Sequence, residues 1–247
     1  MTIIVLPAYN EEQSLPALFR SIRRSLDQAE GGYRVVLVND GSEDRTGEVA
    51  RAFAEELPLT VVDHESNRGL GAALRTGLET ALTEADDDDA IITLDADNTH
   101  DPDLIAQMLG ALRNQELDLV IASRFAHGGQ EVGLATRRKI MSRGASFLMR
   151  LFFPVQGARD YTCGFRAYRA GTLRRGFQHY AGDLIQETGF ACMAEVLVKL
   201  ARSGARIGEV PMALRYDLKA GESKMQTWKA IKRYLYLLTH RRRLLSP

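Results

Sequence analysis

Short apolar runs alternate with longer amphipathic stretches through the first half of this sequence, and this pattern constrains the fold most. Five runs are predicted as β-strands: residues 2–6, 34–38, 59–63, 90–94 and 117–122. Between them apolar residues recur at spacings of three and four, as at Leu15, Leu18 and Ile22, which share one helix face. Strands that alternate with helices form a mostly parallel sheet flanked by helices. The sequence therefore predicts an α/β fold.

Each predicted strand ends in polar or glycine-rich residues. In chain order these tails read PAYNE, NDGS, NRGLG, DAD and SRF. In an open α/β sheet, ligands bind beyond the carboxyl ends of the strands. We therefore expect the five tails to meet at one site.

The alternation is lost from Arg137 onward. Helices are predicted over residues 137–153, 182–203 and 227–239, and a strand over 206–214. No Pro/Ser-rich linker and no internal repeat divides the sequence. The simplest organisation is one domain over residues 1–226, with halves 1–125 and 126–226, followed by a basic amphipathic helix within 227–247.

The formal net charge of zero hides two oppositely charged halves. Residues 1–136 hold 10 basic and 25 acidic residues, a balance of −15, and residues 137–247 hold 22 and 7, a balance of +15. This asymmetry predicts that the first half holds a cation and the second an anion or an anionic surface. The basic residues lack interleaved aromatic stacking segments, so we expect no nucleic acid partner.

Cysteine use and hydropathy indicate the compartment. Cys163 and Cys192 form no CxxC motif, which predicts neither a disulfide framework nor a zinc site and favours a reducing compartment. The N-terminus lacks the basic and apolar regions of a signal peptide. No run approaches the roughly 18 apolar residues of a spanning helix. We therefore expect a cytoplasmic protein that is soluble or sits on a membrane surface.

Asp95 and Asp97, directly after the strand at 90–94, are the strongest candidates for chemistry. Paired carboxylates there supply the hard oxygen ligands that suit Mg²⁺ or Mn²⁺ carrying a diphosphate. The alternative is a solvated turn in which Asp97 or Thr99 caps the helix that follows Pro102. The acidic run at 86–89 precedes the same strand, so we expect it to be a solvated loop at the opposite end of the sheet.

Several motifs occur in a fixed order. They are Pro7-Ala8-Tyr9-Asn10-Glu11, Asn39-Asp40-Gly41-Ser42, Asn67-Arg68-Gly69 and Asp95-Ala96-Asp97. Together these resemble the family-2 inverting glycosyltransferases, which have the GT-A nucleotide-diphospho-sugar transferase fold. Later motifs are similar to the dolichol-phosphate mannose synthase branch: Ser123-Arg124, Arg138 with Ser142, Asp160 to Phe165, and Arg215 ahead of Gly221-Glu222-Ser223-Lys224. The resemblance covers roughly residues 2–226.

The resemblance implies a donor site in the half at residues 1–125. It assigns Pro7, Ala8, Tyr9 and Glu11 to the base and ribose pocket, Asp40 to the base or ribose, Arg68 and Gly69 to the nucleotide, and Asp95, Ala96 and Asp97 to the diphosphate. Asp95 and Asp97 would be catalytic and hold Mg²⁺ or Mn²⁺. A carboxylate can accept from a base N–H or a ribose hydroxyl, and glycines such as Gly69 and Gly71 allow close backbone approach. A core position for Tyr9 and simple turns at Asp40-Gly41 and Gly71 remain alternatives.

The resemblance also implies an acceptor site built from the half at residues 126–226. It assigns Arg124, Arg138, Ser142, Arg215 and Lys224 to the acceptor's phosphate, with Arg124 also catalytic. Arginine forks match phosphate oxygens, and residues four apart on a helix share a face. The chain would transfer a hexose, with mannose from GDP-mannose favoured, to a polyprenyl or dolichyl phosphate.

The acceptor decides whether a base is needed. A phosphate monoester is anionic at neutral pH and attacks without one. A soluble enzyme with a UDP-sugar donor and a hydroxyl acceptor is the alternative, with Asp160, Glu187 or Glu195 as the base. Basic amphipathic helices at 137–153 and 227–239 predict peripheral contact with the cytoplasmic membrane face or with a membrane-protein partner. The first helix could instead pack on the sheet.

Overall fold

The predicted alternation forms one large sheet with helices packed against it. The structure, a computed structural model, describes residues 1–27, 31–219, 232–234, 236, 237, 239 and 244. Its strands are β1 (Thr2–Ala8), β2 (Tyr33–Asp40), β3 (Leu59–His64), β4 (Ala90–Thr93), β5 (Leu119–Ser123), β6 (Gln130–Val132), β7 (Arg166–Arg169), β8 (Ile207–Pro211) and β9 (Ala213–Arg215). Its α-helices are α1 (Leu15–Leu26), α2 (Thr46–Ala52), α3 (Leu70–Glu84), α4 (Ile105–Asn114), α5 (Thr136–Phe152), α6 (Ala170–His179) and α7 (Cys192–Arg202). Single 3₁₀ turns lie at Phe53–Glu55, Pro102–Leu104 and Tyr216–Leu218.

The strand order places a ligand site between β1 and β4. The main sheet runs β3-β2-β1-β4-β7-β5-β8, and β6 pairs with β9 in a small second sheet. Neighbouring strands are parallel except at β7, which is antiparallel to both β4 and β5. From β1 the chain adds β2 and β3 on one side, whereas β4 lies on the other. Ligands bind beyond the carboxyl ends of the strands at such a reversal.

The core follows from strands that are apolar on both faces. Ile4, Val5 and Leu6 of β1 are completely buried, as expected for a parallel strand covered on both sides. Helix α3 packs closely over β1 and β2 because it has glycine at position 77. A Cβ there would meet Val5 Cγ1 at 2.4 Å. This packing fixes the start of α3 beside the carboxyl ends of β1 and β2.

Several predictions are confirmed. All five predicted strands are present with ends shifted by at most two residues, and the helix predicted at 137–153 is α5. The acidic run at 86–89 lies at the amino end of β4, where Asp89 pairs with the Met1 ammonium at 2.6 Å and the exposed Asp87 pairs with Arg174. The helix predicted at 227–239 lies largely outside the described residues, of which 232–234, 236, 237 and 239 are helical. The boundary at 226 also falls outside them and stays a prediction.

The helix predicted over 182–203 is wrong in its first half. Helix α7 begins only at Cys192, and most of the preceding segment is irregular. The Glu195 carboxylate accepts from the backbone N–H groups of Gln186 at 2.9 Å and Glu187 at 2.8 Å. Because this side chain satisfies donors that a helix would otherwise pair, the segment can be buried without helical hydrogen bonds.

The strand predicted over 206–214 is in fact two strands in different sheets. Met212 lies between β8 and β9, donating its N–H to Ser123 O at 3.0 Å and accepting from Gln130 N at 2.9 Å. The chain therefore leaves the main sheet at this residue and enters the second one. The sequence pattern also did not predict β6, β7 or α6.

Candidate active site

A cleft of about 1010 Å³ opens at the carboxyl ends of β1, β2, β4 and β5. The predicted residues that line it are Pro7, Ala8, Tyr9, Glu11, Asp40, Arg68, Gly69, Asp95, Ala96, Asp97, Arg124, Arg138 and Ser142. Arg215 does not line the cleft, and Lys224 lies outside the described residues. The expectation that the five strand tails meet at one site is therefore confirmed, since each tail contributes residues to the cleft.

The first motif is held in place by the second. Asn10 has a φ of 54°, a left-handed conformation that asparagine tolerates better than most residues. Its Oδ1 accepts from Glu43 N at 2.8 Å, and its own N–H donates to Ser42 Oγ at 3.0 Å. These bonds tie the turn after β1 to the loop after β2, so Tyr9 and Glu11 are presented to the cleft together.

Asp40, at the end of β2, is engaged by the protein through both carboxylate oxygens. Oδ1 lies 2.6 Å from His64 Nδ1 and accepts from Arg68 N at 3.0 Å, and Oδ2 accepts from Gly69 N at 2.8 Å. His64 Nε2 in turn lies 3.0 Å from Thr76 Oγ1 on α3. Asp40 thus fixes the Arg68-Gly69 turn in addition to lining the cleft.

Positions 69 and 71 require glycine because the backbone of residues 187–188 lies directly against them. Gly69 has a φ of +90°, and a Cβ on it would lie 2.6 Å from Thr188 O. A Cβ on Gly71 would lie 1.7 Å from Glu187 O, and Gly71 N donates to Thr188 O at 2.8 Å. The close approach seen at these glycines is therefore to the 187–188 segment, which joins the far wall of the cleft to the start of α3.

Asp95 and Asp97 follow β4 in a tight turn that faces the cleft. Asn98 has a φ of 61°, and Asp97 Oδ1 accepts from Thr99 N at 3.2 Å and Thr99 Oγ1 at 2.6 Å. Asp97 Oδ2 accepts from the Lys219 ammonium. Asp95 N donates to His100 Nδ1 at 3.2 Å, while the Asp95 side chain is 38% exposed. Asp97 bonds only within this local turn, and the helical turn that follows Pro102 is capped by Asp101, whose Oδ1 accepts from Asp103 N at 3.0 Å. The alternative that Asp97 or Thr99 caps that helix is therefore wrong, and both carboxylates border the cleft.

The two carboxylates differ in their electrostatic surroundings. Although part of the Asp95 side chain is exposed in the cleft, the protein around it removes much of its water, and this desolvation raises the pKa of Asp95 above its ordinary value. His100 opposes the shift and the neighbouring Asp97 charge adds to it. Burial also disfavours the charged form of Asp97, but the ammonium of Lys219 and then His100 outweigh it, so the pKa of Asp97 is lowered. Asp97 is therefore the more firmly ionised of the pair.

Asp95 and Asp97 fit a divalent cation whose remaining ligands come from a substrate and from water. Within the described ranges, no group of three or more His, Cys, Asp or Glu side chains could hold a metal ion. Mg²⁺ commonly takes one or two carboxylates and completes its shell with substrate phosphates and water. Gly164 keeps this corner open, since a Cβ there would lie 2.9 Å from Asp95 Oδ1.

Arg124, after β5, is clamped against a buried carboxylate. Its Nε and Nη2 donate to the two oxygens of Asp160 at 2.7 and 2.6 Å, and Nη2 also donates to Thr162 Oγ1 at 2.5 Å. Burial opposes ionisation of Asp160, but Arg124 and backbone N–H groups outweigh it and lower the pKa of that carboxyl. Thr162 Oγ1 lies 3.2 Å from Ser142 Oγ, so one hydroxyl connects Arg124 with α5.

Helix α5 presents Arg138 and Ser142 to the cleft from one face. Arg138 Nη1 donates to the Tyr216 hydroxyl, and the guanidinium carbon lies 5.3 Å from the Tyr216 ring centroid. Arg215, by contrast, is directed to Asp217, donating from Nε at 2.9 Å and from Nη2 at 2.8 Å. Its assignment to the acceptor's phosphate stays a prediction.

The three carboxylates considered as general bases are all engaged in the structure. Asp160 pairs with Arg124 as described. Glu195 accepts from Lys199 Nζ at 2.8 Å in addition to its backbone donors. Glu187 accepts from Arg233 Nε at 2.7 Å. Each carboxylate pairs with a cationic side chain, and protonation of the carboxylate would weaken that ion pair.

Some cleft residues were not assigned a role from the sequence. They are Thr99, His100, Thr162, Tyr216, Lys219, and Lys232, Arg233 and Tyr234 near the C-terminus. Thr99 and His100 follow the aspartate pair, and Thr162 lies within the motif at residues 160–165, so the sequence could have placed these three residues in the cleft. Lys219 and the three C-terminal residues carried none, because their approach depends on the path of the last part of the chain.

The topology and the cleft together define a class of protein. A mostly parallel sheet with an Asp-x-Asp pair at the reversal of strand order is the arrangement of the GT-A glycosyltransferases, which confirms the fold expected from the sequence. The chain belongs to Glycosyl transferase family 2, whose profile matches residues 3–177.

Relatives and solved structures agree with this assignment. The chain is 35% identical to an undecaprenyl-phosphate mannosyltransferase of Micrococcus luteus over 90% of its length and 86% of that protein. It is 31% identical to a dolichol-phosphate mannosyltransferase of Pyrococcus furiosus, covering 94% of this chain but 61% of the relative. The fold matches glucosyl-3-phosphoglycerate synthase of Mycobacterium tuberculosis, solved with Mn²⁺, UDP and phosphoglyceric acid, with a TM-score of 0.69 at 20% identity over 98% of this chain and 78% of that one. The resemblance to polyprenyl-phosphate mannose synthases is thereby confirmed.

Proposed function

We propose that this protein transfers mannose from GDP-mannose to a polyprenyl phosphate with inversion at the sugar carbon. The observation that carries the proposal is that Arg124, Arg138 and Ser142 line the same cleft as Asp95 and Asp97. Two arginines and a hydroxyl match a phosphate monoester, and two carboxylates match a cation on a diphosphate. The names of the relatives support mannose and a polyprenyl phosphate as the substrates.

The acceptor half of the cleft positions the nucleophile. Arg138 and Ser142 hold the acceptor's phosphate, and Arg124 is oriented beside them by Asp160. The phosphate, with a second pKa near 6, is already ionised and attacks the sugar carbon directly. Because Asp160, Glu187 and Glu195 are held by Arg124, Arg233 and Lys199, the arrangement favours an acceptor that needs no general base.

The donor half positions the leaving group. Tyr9 and Glu11 border the nucleoside, and the Asp40-fixed turn at Arg68-Gly69 borders the diphosphate. Mg²⁺ or Mn²⁺ held by Asp95 and Asp97 would offset the negative charge that the departing diphosphate gains. Aligning donor and acceptor in one cleft lowers the entropic cost of their encounter.

A membrane-facing surface accompanies this site. Ile140, Phe147 and Leu151 lie on the face of α5 opposite Arg138 and Ser142 and are 66%, 57% and 63% exposed. Arg143 and Arg150 flank this stripe, as in helices that lie on anionic membranes. Among the described residues, no helix combines the length and hydropathy needed to cross a bilayer. Peripheral docking through α5 on the cytoplasmic face would bring a lipid phosphate to the cleft side of the same helix.

The test is a transfer assay with GDP- and UDP-sugars, Mg²⁺ or Mn²⁺, and a short polyprenyl phosphate. We expect lipid-linked mannose from GDP-mannose, and none after removal of the cation with EDTA. Asp97→Ala should reduce kcat/KM at least about a hundredfold, since it removes a cation ligand beside the leaving group. The matched control is Asp87→Ala, which alters an exposed aspartate at the opposite end of β4.

Two outcomes would contradict the proposal. Equal loss of activity in the Asp87 and Asp97 variants would refute the metal assignment. Transfer only to hydroxyl acceptors, with no product on any polyprenyl phosphate, would replace the proposal with a soluble hydroxyl-directed transferase.

A further inference from the structure

Lys219 makes a contact that neither the sequence motifs nor the family assignment uses. Its ammonium pairs with Oδ2 of Asp97, and the two side chains are only 9% and 13% exposed. The same ammonium lies 5.7 Å from the Tyr216 ring centroid. The Lys219 ammonium is therefore held against one of the two candidate metal ligands.

The geometry of Asp97 leaves little room for a second cation. Oδ1 is occupied by the Thr99 N–H and hydroxyl, so Oδ2 is the oxygen through which Asp97 can take a metal. That oxygen is where the Lys219 ammonium sits. A divalent ion and an ammonium cannot both contact one carboxylate oxygen closely without strong repulsion.

The segment that carries Lys219 is fixed to the cleft at several points. It follows β9, which pairs with β6, and Arg215 N donates to Thr99 O at 3.0 Å. Tyr216, three residues before Lys219, accepts from Arg138. The turn that carries Lys219 is thus bonded to Thr99 and to Arg138, and these contacts hold Lys219 beside Asp97.

We propose that Lys219 is a resident counter-ion that competes with the divalent cation for Asp97, so that metal binding requires release of Lys219. The inference rests on the proposed metal site at Asp95 and Asp97. It predicts weak cation binding in the absence of a diphosphate. When a nucleoside diphosphate is present, its oxygens supply further metal ligands and its negative charge offers the released ammonium a new partner.

The test measures Mn²⁺ affinity of the nucleotide-free protein by electron paramagnetic resonance, which reports free Mn²⁺. We expect Lys219→Met to bind Mn²⁺ about tenfold more tightly than the unaltered protein, as removal of one competing ion pair would allow. Lys219→Arg keeps the charge and should retain weak binding. Arg20→Met, on the exposed face of α1, removes one positive charge away from the cleft and should leave the affinity unchanged.

The outcomes separate this inference from the proposed metal site. Unchanged or weaker Mn²⁺ binding in Lys219→Met, while Asp97→Ala abolishes binding, would overturn the competition and leave the metal site intact. Equal Mn²⁺ binding in Asp97→Ala and the unaltered protein would overturn the metal site itself. Equal gains in the Met and Arg variants would show that the charge of Lys219 is not the cause, which also overturns the inference. Circular dichroism of each variant establishes that it is folded.

Discussion

Asp40 borders the nucleotide half of the cleft, yet its carboxylate is already bonded to His64 and to the backbone of Arg68 and Gly69. A residue in this position acts on a ligand partly through the turn that it holds. His64 is nearly buried and does not line the cleft, so its contact with Asp40 is a positioning contact. In the proposed function, the donor site would therefore depend on a histidine, His64, that does not line the cleft.

This dependence can be measured by replacing His64 with alanine. The variant loses a hydrogen bond to a charged group, an interaction of about 1.5–3 kcal/mol, so the Arg68-Gly69 turn should be less well ordered. We expect the KM for the nucleotide sugar to rise roughly tenfold, while the KM for the polyprenyl phosphate stays within about twofold. Steady-state kinetics with each substrate varied in turn provides the comparison.

His127→Ala is the control, because His127 is exposed and does not line the cleft. If His64 has a purely structural role, the His64→Ala protein should be less stable, and its kcat/KM values for the nucleotide sugar and for the polyprenyl phosphate should fall together. That result would reject the positioning role, as would unchanged donor kinetics.

The sequence predicted most of the side chains that line the cleft, Arg215 being an exception, but not the contacts that hold them. Motif order placed Asp95, Asp97 and Arg124 in one cleft, because the carboxyl ends of neighbouring strands converge. It could not predict that Asp160 clamps Arg124 or that Lys219 reaches Asp97. Both contacts join positions that are distant in the sequence and depend on the path of loops, which local patterns do not encode.

At the scale of elements, the failures have a common physical origin. Strand β7 reads as polar because arginines begin and end it, yet Arg166 is completely buried at the centre of the sheet. Its guanidinium donates to Met193 O at 2.7 Å and to Tyr161 O at 3.2 Å. Backbone carbonyls thus pair both terminal nitrogens of a buried cation, although its Nε has no hydrogen-bond partner among the described residues, and Glu195 in the same way accepts from the buried N–H groups before α7. In both cases a long-range polar contact determines the local structure.

Helix α5 is the element whose two faces were both anticipated. Arg138 and Ser142 are four residues apart and face the cleft, whereas Ile140, Phe147 and Leu151 are exposed on the other side. One stripe of the helix is buried at Ser146 and Met149, where Ser146 Oγ accepts from Tyr161 N at 3.2 Å in the loop that precedes β7. In the proposed function, this one helix would contact the acceptor's phosphate with one face and the membrane that holds the acceptor with the other.

The division of α5 into two faces predicts different effects for neighbouring arginines. Arg138→Ala should raise the KM for a short polyprenyl phosphate about tenfold or more, because it removes a charge-assisted contact to phosphate, and should change the donor KM little. Arg137→Ala removes the same charge one position away, on an exposed part of the helix, and should leave both values near those of the unaltered protein. Kinetics with an acceptor too short to require a membrane isolates the cleft contribution.

If Arg138→Ala raised the KM for the donor more than the KM for the acceptor, the assignment of Arg138 to the acceptor's phosphate would be wrong. Equal effects of the two substitutions would mean that overall charge, and not contact with the phosphate, governs acceptor binding.

At the scale of the whole molecule, the opposite charge balances of −15 and +15 correspond only partly to the site. The acidic half contributes Asp40, Asp95 and Asp97 to the cleft, but its acidic run at 86–89 lies at the other end of the sheet. The basic half contributes Arg138 to the cleft and Arg150 to the exposed side of α5. In the proposed function, the asymmetry would orient the molecule toward an anionic surface as well as an anionic acceptor.

This orientation predicts binding to anionic lipid vesicles through α5. An apolar side chain that enters the interface contributes about 1.5–3 kcal/mol, so Leu151→Asp should reduce vesicle association at least about tenfold in a sedimentation assay. Gln107→Asp adds the same charge at an exposed position of α4 and should bind as the unaltered protein does.

Binding should also weaken as salt rises, because screening acts on Arg143 and Arg150 at exposed positions. Equal binding by both aspartate variants, or salt-independent binding to neutral vesicles, would assign membrane contact to another part of the chain. Activity on a short soluble acceptor should be the same in both variants, since Leu151 lies outside the cleft and acts only by bringing the enzyme to the lipid.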